Sequence, residues 1–150
     1  MEDTIYALST APTEGGIAII RISGEKALPA ILSVFRPAAK DMPDHMLRYG
    51  YIYDGDERVD EAMGVYMAAP KTYTGEDVCE LHIHGSMAIA SRALGLLSRM
   101  EGLRTAMPGE FTKRAFLSGR IDLARAESVM DMISAKSEKS AAVLPAIVRR

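Results

Sequence analysis

The sequence predicts an α+β fold, in which helices pack on a mixed β-sheet and the start of a helical domain follows. Strand-like runs such as residues 17–22 and 78–84 alternate with helical apolar stripes, and from Asp122 onward the apolar period is helical alone. Of the 150 residues, 48% are hydrophobic. That fraction is enough for one sizeable core and argues against a disordered chain.

The N-terminal part is predicted to form a strand, a loop, a second strand and a helix. Residues 4–9 are a short β-rich run, and residues 17–22 (IAIIRI) carry the strongest strand pattern in the chain. Their nearly continuous aliphatic character predicts a strand that is buried on both faces. A helix is expected next, because apolar residues recur at helical spacing at Leu28, Ile31, Leu32 and Phe35. Residues 37–43 are then expected to form a loop.

The middle of the chain is predicted to be a hairpin followed by a further strand. Residues 47–54 and 59–67 flank the turn Asp54-Gly55-Asp56, an arrangement typical of two hairpin strands. Residues 78–84 (VCELHIH) alternate in a strand, with Cys79, Leu81 and Ile83 on one face and Val78, Glu80, His82 and His84 on the other.

A second helix and a last strand complete the predicted sheet domain. Ser86 is a suitable N-cap for a helix that runs through Met100 and stops at Gly102. Its core positions would be Ala90, Ala93, Leu94 and Leu97. Residues 103–107 are predicted to form the last strand.

Residues 108–127 (PGEFTKRAFLSGRIDLARAE) connect the sheet domain to the helical segment. They predict a short helix that ends at Gly119 and a second helix capped by Asp122. The short helix would carry an apolar stripe of Phe111, Ala115 and Phe116. The second helix would be bent or ended at Pro145 and carry a seam of Leu123, Ala126, Met130, Ile133, Ser137, Ser140 and Leu144.

Four cations lie close together in this connecting region. They are Lys113, Arg114, Arg120 and Arg125. The favoured interpretation is a solvated helix face, with contact to RNA as the minor alternative. A net charge of −2 argues against a protein that binds nucleic acid mainly through electrostatics.

Composition and motifs exclude several other classes. One cysteine excludes an intramolecular disulfide and suits a reducing cytosol. No apolar run approaches the roughly 20 residues that a membrane-spanning helix needs, so we expect a soluble cytoplasmic protein with no membrane partner. The sequence contains no P-loop, no dinucleotide-binding glycine motif and no nucleophile elbow. We therefore expect no catalytic residue in this chain.

Glu80, His82 and His84 are the first candidate binding residues, because they share one face of a predicted strand. A zinc site needs three or four ligands, and no second His/Cys pair stands at a supporting spacing, so we expect no metal. A hydrogen-bonded or solvated role is the favoured interpretation for His82. Glu80 could instead accept two parallel N–H bonds from a flat, guanidine-like heterocycle.

Arg21 is the second candidate, because it interrupts an otherwise aliphatic strand. A cation in such a strand needs a partner. Either an acid such as Glu80 neutralises it, or it presents its planar guanidinium to an anionic ligand. Both alternatives remain open from the residues alone.

Several motifs follow one another in a specific order and spacing. They are DTI at residues 3–5, GGIAIIRISG at 15–24, YTGEDV at 73–78, HG at 84–85, PGEFTKRAFL at 108–117 and DLARAE at 122–127. Together they resemble one family, the MnmE (TrmE) tRNA-modification GTPases. The resemblance covers nearly the whole chain and corresponds to the N-terminal part of that family. We therefore expect the chain to be part of a longer protein.

The resemblance implies a fold and a function. Residues 1–118 would resemble the tetrahydrofolate-binding domain of aminomethyltransferases, bind a 5-formyl- or 5,10-methylene-tetrahydrofolate and form a homodimer. Residues 119–150 would be the first helix of a central helical domain, into which family members insert a GTPase domain that uses GTP, magnesium and potassium. With the flavoprotein MnmG (GidA), the full complex would modify the wobble uridine of tRNA at its 5-position. The alternatives are a stand-alone folate-dependent aminomethyltransferase relative and a pure dimerisation module.

By motif, the resemblance places the folate contacts on Arg21, Glu80 and Arg120. The sequence departs from the family pattern at three places. Arg120 stands where members usually have lysine, residues 11–14 (APTE) replace a Pro-Gly-Arg sequence, and Ser86 replaces a glycine. The first departure keeps the charge but changes its geometry, because a guanidinium is planar and an ammonium is a compact point charge.

Overall fold

The computed structural model describes residues 3–10 and 15–148, with side chains described as far as residue 135. In chain order the elements are β1 (Thr4–Leu8), β2 (Ile17–Ser23), α1 (Ala27–Val34), β3 (Phe35–Pro37), β4 (Arg48–Asp54), β5 (Glu57–Met67), β6 (Val78–His84), α2 (Met87–Ser98), β7 (Leu103–Thr105), α3 (Glu110–Leu117) and α4 (Leu123–Val148). None of these helices, within the described residues, is long and apolar enough to cross a membrane.

The strands form one mixed sheet, which confirms the predicted α+β class. Their order across the sheet is β3-β4-β5-β6-β2-β1-β7. Neighbouring strands are antiparallel except for β1 and β7, which are parallel. The sequence neighbours β4 and β5 form the predicted hairpin. The central strands β2 and β6 lie far apart in sequence, and their register brings Arg21 opposite Glu80.

The core lies between one face of the sheet and helices α1 and α2. Alternate residues of β2 and β6 point into it, and they pack with the buried faces of the two helices. The prediction that β2 is buried on both faces is wrong, because Ile17 is 64% exposed and Arg21 is partly exposed. Helices α1 and α2 cover only one face, and Ile17 on the other face, called the open face, remains exposed.

The predicted α2 is confirmed in its cap and its core. Ser86 accepts a hydrogen bond from the backbone N–H of Ile89 at 3.4 Å. Ala90, Ala93 and Leu97 are buried, and Leu94 packs partly buried against the core.

Phe35 belongs to a strand, whereas its spacing predicted a helical position. The ring packs on two glycines of the neighbouring strands: a Cβ added to Gly64 would lie 2.7 Å from Phe35 Cε2, and one added to Gly50 would lie 2.8 Å from Phe35 Cζ. An extended backbone at Phe35 lets the ring fill this space, since it pairs β3 with β4. Tertiary packing here overrides the helical period.

The ends of α3 and α4 are largely as predicted. Gly119 follows α3 with φ +80°, and Asp122 Oδ1 accepts a hydrogen bond from the N–H of Arg125 at 2.8 Å. Of the two alternatives at Pro145, a bend or an end, the end is wrong, because α4 continues to Val148. A proline removes one helical donor, and less than one full turn of the helix follows it here. The seam positions Ser137, Ser140 and Leu144 lie outside the described side chains.

The buried face of α3 differs from the predicted one. Its buried residues are Glu110, Thr112, Arg114 and Ala115, whereas Phe116 is exposed. The helix therefore buries mostly polar and charged groups. Of the predicted stripe, Ala115 is buried and Phe116 is not. Ion pairs with Arg104 and Glu76 allow the charged residues of α3 to be buried instead.

Candidate functional site

Arg21 and Glu80 form an ion pair on the open face of the sheet. The antiparallel register of β2 and β6 places the two residues opposite each other. Arg21 Nε and Nη2 lie 3.1 Å and 3.0 Å from Glu80 Oε2, and the two side chains are 28% and 17% exposed. The internal neutralisation of Arg21 is therefore present, and the guanidinium still reaches solvent.

His82 completes the surroundings of the Glu80 carboxylate. Its Nε2 lies 3.0 Å from Glu80 Oε1. The hydrogen bond from His82 and then the charge of Arg21 lower the pKa of Glu80, against the opposing effect of desolvation. The carboxylate is therefore ionised near neutral pH. Hydrogen bonds from Arg21 Nε and His82 Nε2 occupy one position on each oxygen, which leaves acceptor capacity on the carboxylate for a further donor.

The two histidines of β6 do not converge on a common point. His84 Nδ1 pairs with Asp60 Oδ2 at 2.8 Å, whereas His82 faces Glu80. In the described part of the chain, no group of three His, Cys, Asp or Glu residues could hold a metal ion.

Two aromatic rings flank the Arg21 guanidinium. Its central carbon lies 5.7 Å from the ring centroid of Tyr73 and 5.6 Å from that of Phe111. The Tyr73 hydroxyl is hydrogen-bonded to Thr112 Oγ1 at 3.0 Å, which fixes the ring against α3. Sequence reasoning missed both aromatics as site residues, although a tyrosine within the polar loop at residues 70–77 was a usable signal.

A cavity of about 450 Å³ opens beside this guanidinium. Its walls come from the end of β1, the segment 106–109, α3 and α4, and Arg21 is the one charged side chain among the described residues that line it. Binding sites for small molecules fall in this size range and combine apolar walls with a few polar groups. The arrangement suits a flat, partly aromatic ligand that carries an anionic or carbonyl group.

The other two predicted site residues are not among those that line this cavity. Glu80 reaches it only through Arg21. Arg120 is exposed in the link between α3 and α4, where its N–H donates to the carbonyl of Ala115 at 2.9 Å and its Cγ lies close to Gly75. The structure therefore brings Arg21 and Glu80 together and leaves Arg120 at a separate place on the surface. Residues 11–14, which differ from the family pattern, lie outside the described residues.

Behind the cavity lies a buried charged cluster that the sequence did not indicate. Arg114, interpreted as part of a solvated basic face, is only 4% exposed. Its Nη1 lies 3.0 Å and 3.2 Å from the two Glu76 oxygens, and its Nη2 lies 3.4 Å from Glu110 Oε2. The solvated interpretation is therefore wrong for Arg114, because two carboxylates replace water around it. Lys113, Arg120 and Arg125 are exposed as expected.

A second cavity, of about 350 Å³, lies further along the open face of the sheet. Exposed apolar residues surround it, including Ile17, Leu47 and Tyr49, and His82 forms part of its wall. The Arg21–Glu80–His82 series thus runs from one cavity to the other. Exposed apolar surface of this kind is typical of an interaction site.

Comparison with known proteins places the chain in a family. Residues 4–120 match the family model described as GTP-binding protein TrmE N-terminus. The chain is 51% identical over 143 residues to the tRNA modification GTPase MnmE of Enterococcus faecalis, which covers 92% of this chain and 30% of that protein. The proteins of the same name from Streptococcus mutans and Levilactobacillus brevis are 51% and 52% identical, over 94% and 92% of this chain and 31% and 30% of their own lengths. The chain thus spans about a third of the length of these curated relatives.

Proposed function

The chain belongs to the TrmE N-terminal family, and from this premise we propose that it is the folate-binding, homodimerising N-terminal domain of a GTPase that modifies tRNA. The whole protein would act with the flavoprotein MnmG on the 5-position of the wobble uridine. GTP, magnesium and potassium would act in a GTPase domain outside these residues. We also propose that the sheet domain shares the fold of the tetrahydrofolate-binding domain of aminomethyltransferases.

The observation that carries folate binding is the cavity beside Arg21. A one-carbon tetrahydrofolate has a pterin ring with an amino-pyrimidine edge, an aromatic ring and a glutamate tail with carboxylates. Apolar and aromatic walls suit the rings, and a planar guanidinium suits a carboxylate or the pterin carbonyl. A cavity of about 450 Å³ is of the size that holds such a ligand.

The three proposed contacts have different roles. Arg21 would touch the ligand directly, because it lines the cavity. Glu80 would hold Arg21 in place and accept a further hydrogen bond from an N–H of the pterin. Arg120 would serve the glutamate tail as an exposed cation.

Calorimetric titration with 5-formyltetrahydrofolate and with the 5,10-methylene form tests this proposal. We expect the chain to bind at least one form and Arg21→Met to weaken binding by roughly 1.5–3 kcal/mol, the contribution typical of a hydrogen bond to a charged group. Arg48→Met is the matched control, because Arg48 pairs with Asp41 away from the cavity. A folded chain that binds neither form would favour a pure dimerisation module, and aminomethyl transfer by the chain alone would favour the aminomethyltransferase alternative.

The open face of the sheet is the surface we propose for the homodimer. Its exposed apolar residues surround the second cavity, and a second copy would bury them in a two-fold contact. Sedimentation of the purified chain should show a dimer, and Ile17→Asp should shift it towards the monomer. Leu32→Asp changes an exposed aliphatic residue of α1, on the opposite side of the sheet, and should leave the dimer intact. A monomeric wild-type chain would contradict the proposal.

A further inference from the structure

Helix α4 forms one wall of the cavity beside Arg21, although it lies within residues 119–150, which are predicted to belong to a central helical domain. Val129 and Ile133 both line the cavity, and both are partly buried. They stand four residues apart, so they project from the same face of the helix. A ligand seated against Arg21 therefore lies between the sheet domain and α4.

A glycine sets how closely α4 approaches this wall. Gly109 has φ +77°, and a Cβ added there would overlap Met130 Sδ and lie 4.0 Å from Ile133 Cδ1. The neighbouring backbone is also held, because the N–H of Met107 donates to Glu110 Oε1 at 2.9 Å. The helix is thus seated against a fixed segment, with Ile133 directed towards the ligand space.

The rest of the described part of α4 is weakly held. The helix packs chiefly against α3, and of its described seam residues only Ala126 is buried. Leu123 and Met130 are exposed. A ligand in the cavity would add contacts to the helix face that bears Val129 and Ile133, and would therefore stabilise the seated position of α4.

We propose that Val129 and Ile133 are ligand contacts, so that the site is complete only when α4 is seated and the bound ligand in turn holds α4 in place. This inference rests on the proposed folate function and extends the site beyond residues 1–118. Thermodynamic linkage makes this coupling reciprocal. Displacement of α4 would lower the affinity of the cavity for its ligand, and the bound ligand would oppose that displacement by the same factor. Ligand occupancy would thereby fix the direction in which the chain leaves the sheet domain.

The test compares neighbouring residues of α4 in calorimetric titrations with 5-formyltetrahydrofolate. Ile133→Ala removes apolar contact, and we expect the dissociation constant to rise about threefold to tenfold. Ile133→Asp also places an anion beside an anionic ligand and should raise it about tenfold or more. Met132, which is 60% exposed and does not line the cavity, supplies the matched controls Met132→Ala and Met132→Asp, which should bind as the wild type does.

Hydrogen exchange on the unmodified chain provides a second measurement that needs no variant. We expect saturating 5-formyltetrahydrofolate to slow the exchange of amides in residues 126–135. If the wild type binds and the Ile133 and Met132 variants bind with equal affinity, the inference is overturned and the folate function stands. The same holds if the wild type binds without any change in the exchange of the α4 amides. Absence of any binding by the folded wild type would instead overturn the proposed function on which it rests.

Discussion

Arg21 and Arg114 both lie against carboxylates within one small domain, yet their surroundings differ sharply. Arg21 meets Glu80 on the open face, keeps 28% of its side chain exposed and lines a cavity. Arg114 is 4% exposed and lies between Glu76 and Glu110. The comparison teaches that an arginine beside a carboxylate is accessible to a ligand only where one side of its guanidinium faces open space.

The Arg114 cluster holds together the parts that build the cavity. Glu76 accepts a hydrogen bond from Ser23 Oγ at 2.8 Å as well as those from Arg114, so it joins β2 to α3. Glu110 binds Arg104 and the N–H of Met107, so it fixes the start of α3. Tyr73 and Phe111, which flank Arg21, lie on the segments fixed in this way. The Arg114 cluster thus holds in place the residues that surround Arg21.

The largest expected effect is on folding stability, from removal of the buried cation. Arg114→Met would remove the buried cation from Glu76, whose side chain is 27% exposed, while Glu110 would keep Arg104. Breaking a buried ion pair typically costs about 3–5 kcal/mol, and we expect the loss at the lower end of that range. Lys113→Met, one residue away on the same helix but exposed, should change the free energy of unfolding by less than about 0.5 kcal/mol. Urea unfolding followed by circular dichroism measures both. Similar losses of unfolding free energy in the two variants would contradict the assignment of Arg114 to a buried structural cluster.

Acid should act next through Glu110. The hydrogen bonds from Arg104, and after them the backbone N–H of Met107, lower the pKa of Glu110 from 4.5 to about 2. A depressed carboxyl pKa contributes stability that is present above the unfolded-state value and lost as pH falls towards the folded-state value. The urea midpoint should therefore fall between about pH 4.5 and pH 2, and Glu110→Gln should flatten this dependence. An unchanged slope in the variant would show that Glu110 is not responsible.

The Arg21–Glu80 pair should matter less for folding than the Arg114 cluster. Because the guanidinium remains partly hydrated, we expect Arg21→Met to lower the free energy of unfolding by about 1 kcal/mol or less. The same urea series measures this. A loss as large as that of Arg114→Met would make Arg21 a second scaffold residue and weaken its assignment to the ligand.

The smallest effect is expected from the exposed pair of His84 and Asp60. The hydrogen bond and then the charge of Asp60 raise the pKa of His84 above 6.5. A raised histidine pKa contributes stability that is fully present below the unfolded-state value and lost as pH rises through the folded-state value. Between pH 6 and 8, His84→Asn should therefore change the slope of the urea midpoint only slightly, and by less than Glu110→Gln does in acid. A change in slope larger than that of Glu110→Gln would contradict the expectation that an exposed ion pair contributes less to stability than a buried one.

Local patterns predicted the features whose causes are local. The alternation of β6, the turn at Gly55 and the caps at Ser86, Gly119 and Asp122 depend on neighbouring residues, and the structure contains them. The need of Arg21 for a partner followed from its position in an aliphatic strand, and Glu80 is that partner.

Features that depend on distant residues could not be predicted in the same way. Arg114 looks solvated in its own helix, since Glu76 stands 38 residues away. The period of α4 predicts an apolar seam but does not say what covers it, so Val129 and Ile133 were not assigned to the cavity. Phe35 followed a helical period, and the two glycines that accept its ring lie on other strands.

The central claim is that the open pair serves a ligand while the buried cluster serves the fold. Its most direct test is the dissociation constant of 5-formyltetrahydrofolate for Glu80→Gln, measured by calorimetry at neutral pH. The substitution keeps the size of the side chain but removes the charge that holds Arg21, so we expect affinity to fall by roughly 1.5–3 kcal/mol. Affinity equal to that of the wild type in a folded Glu80→Gln chain would contradict the claim.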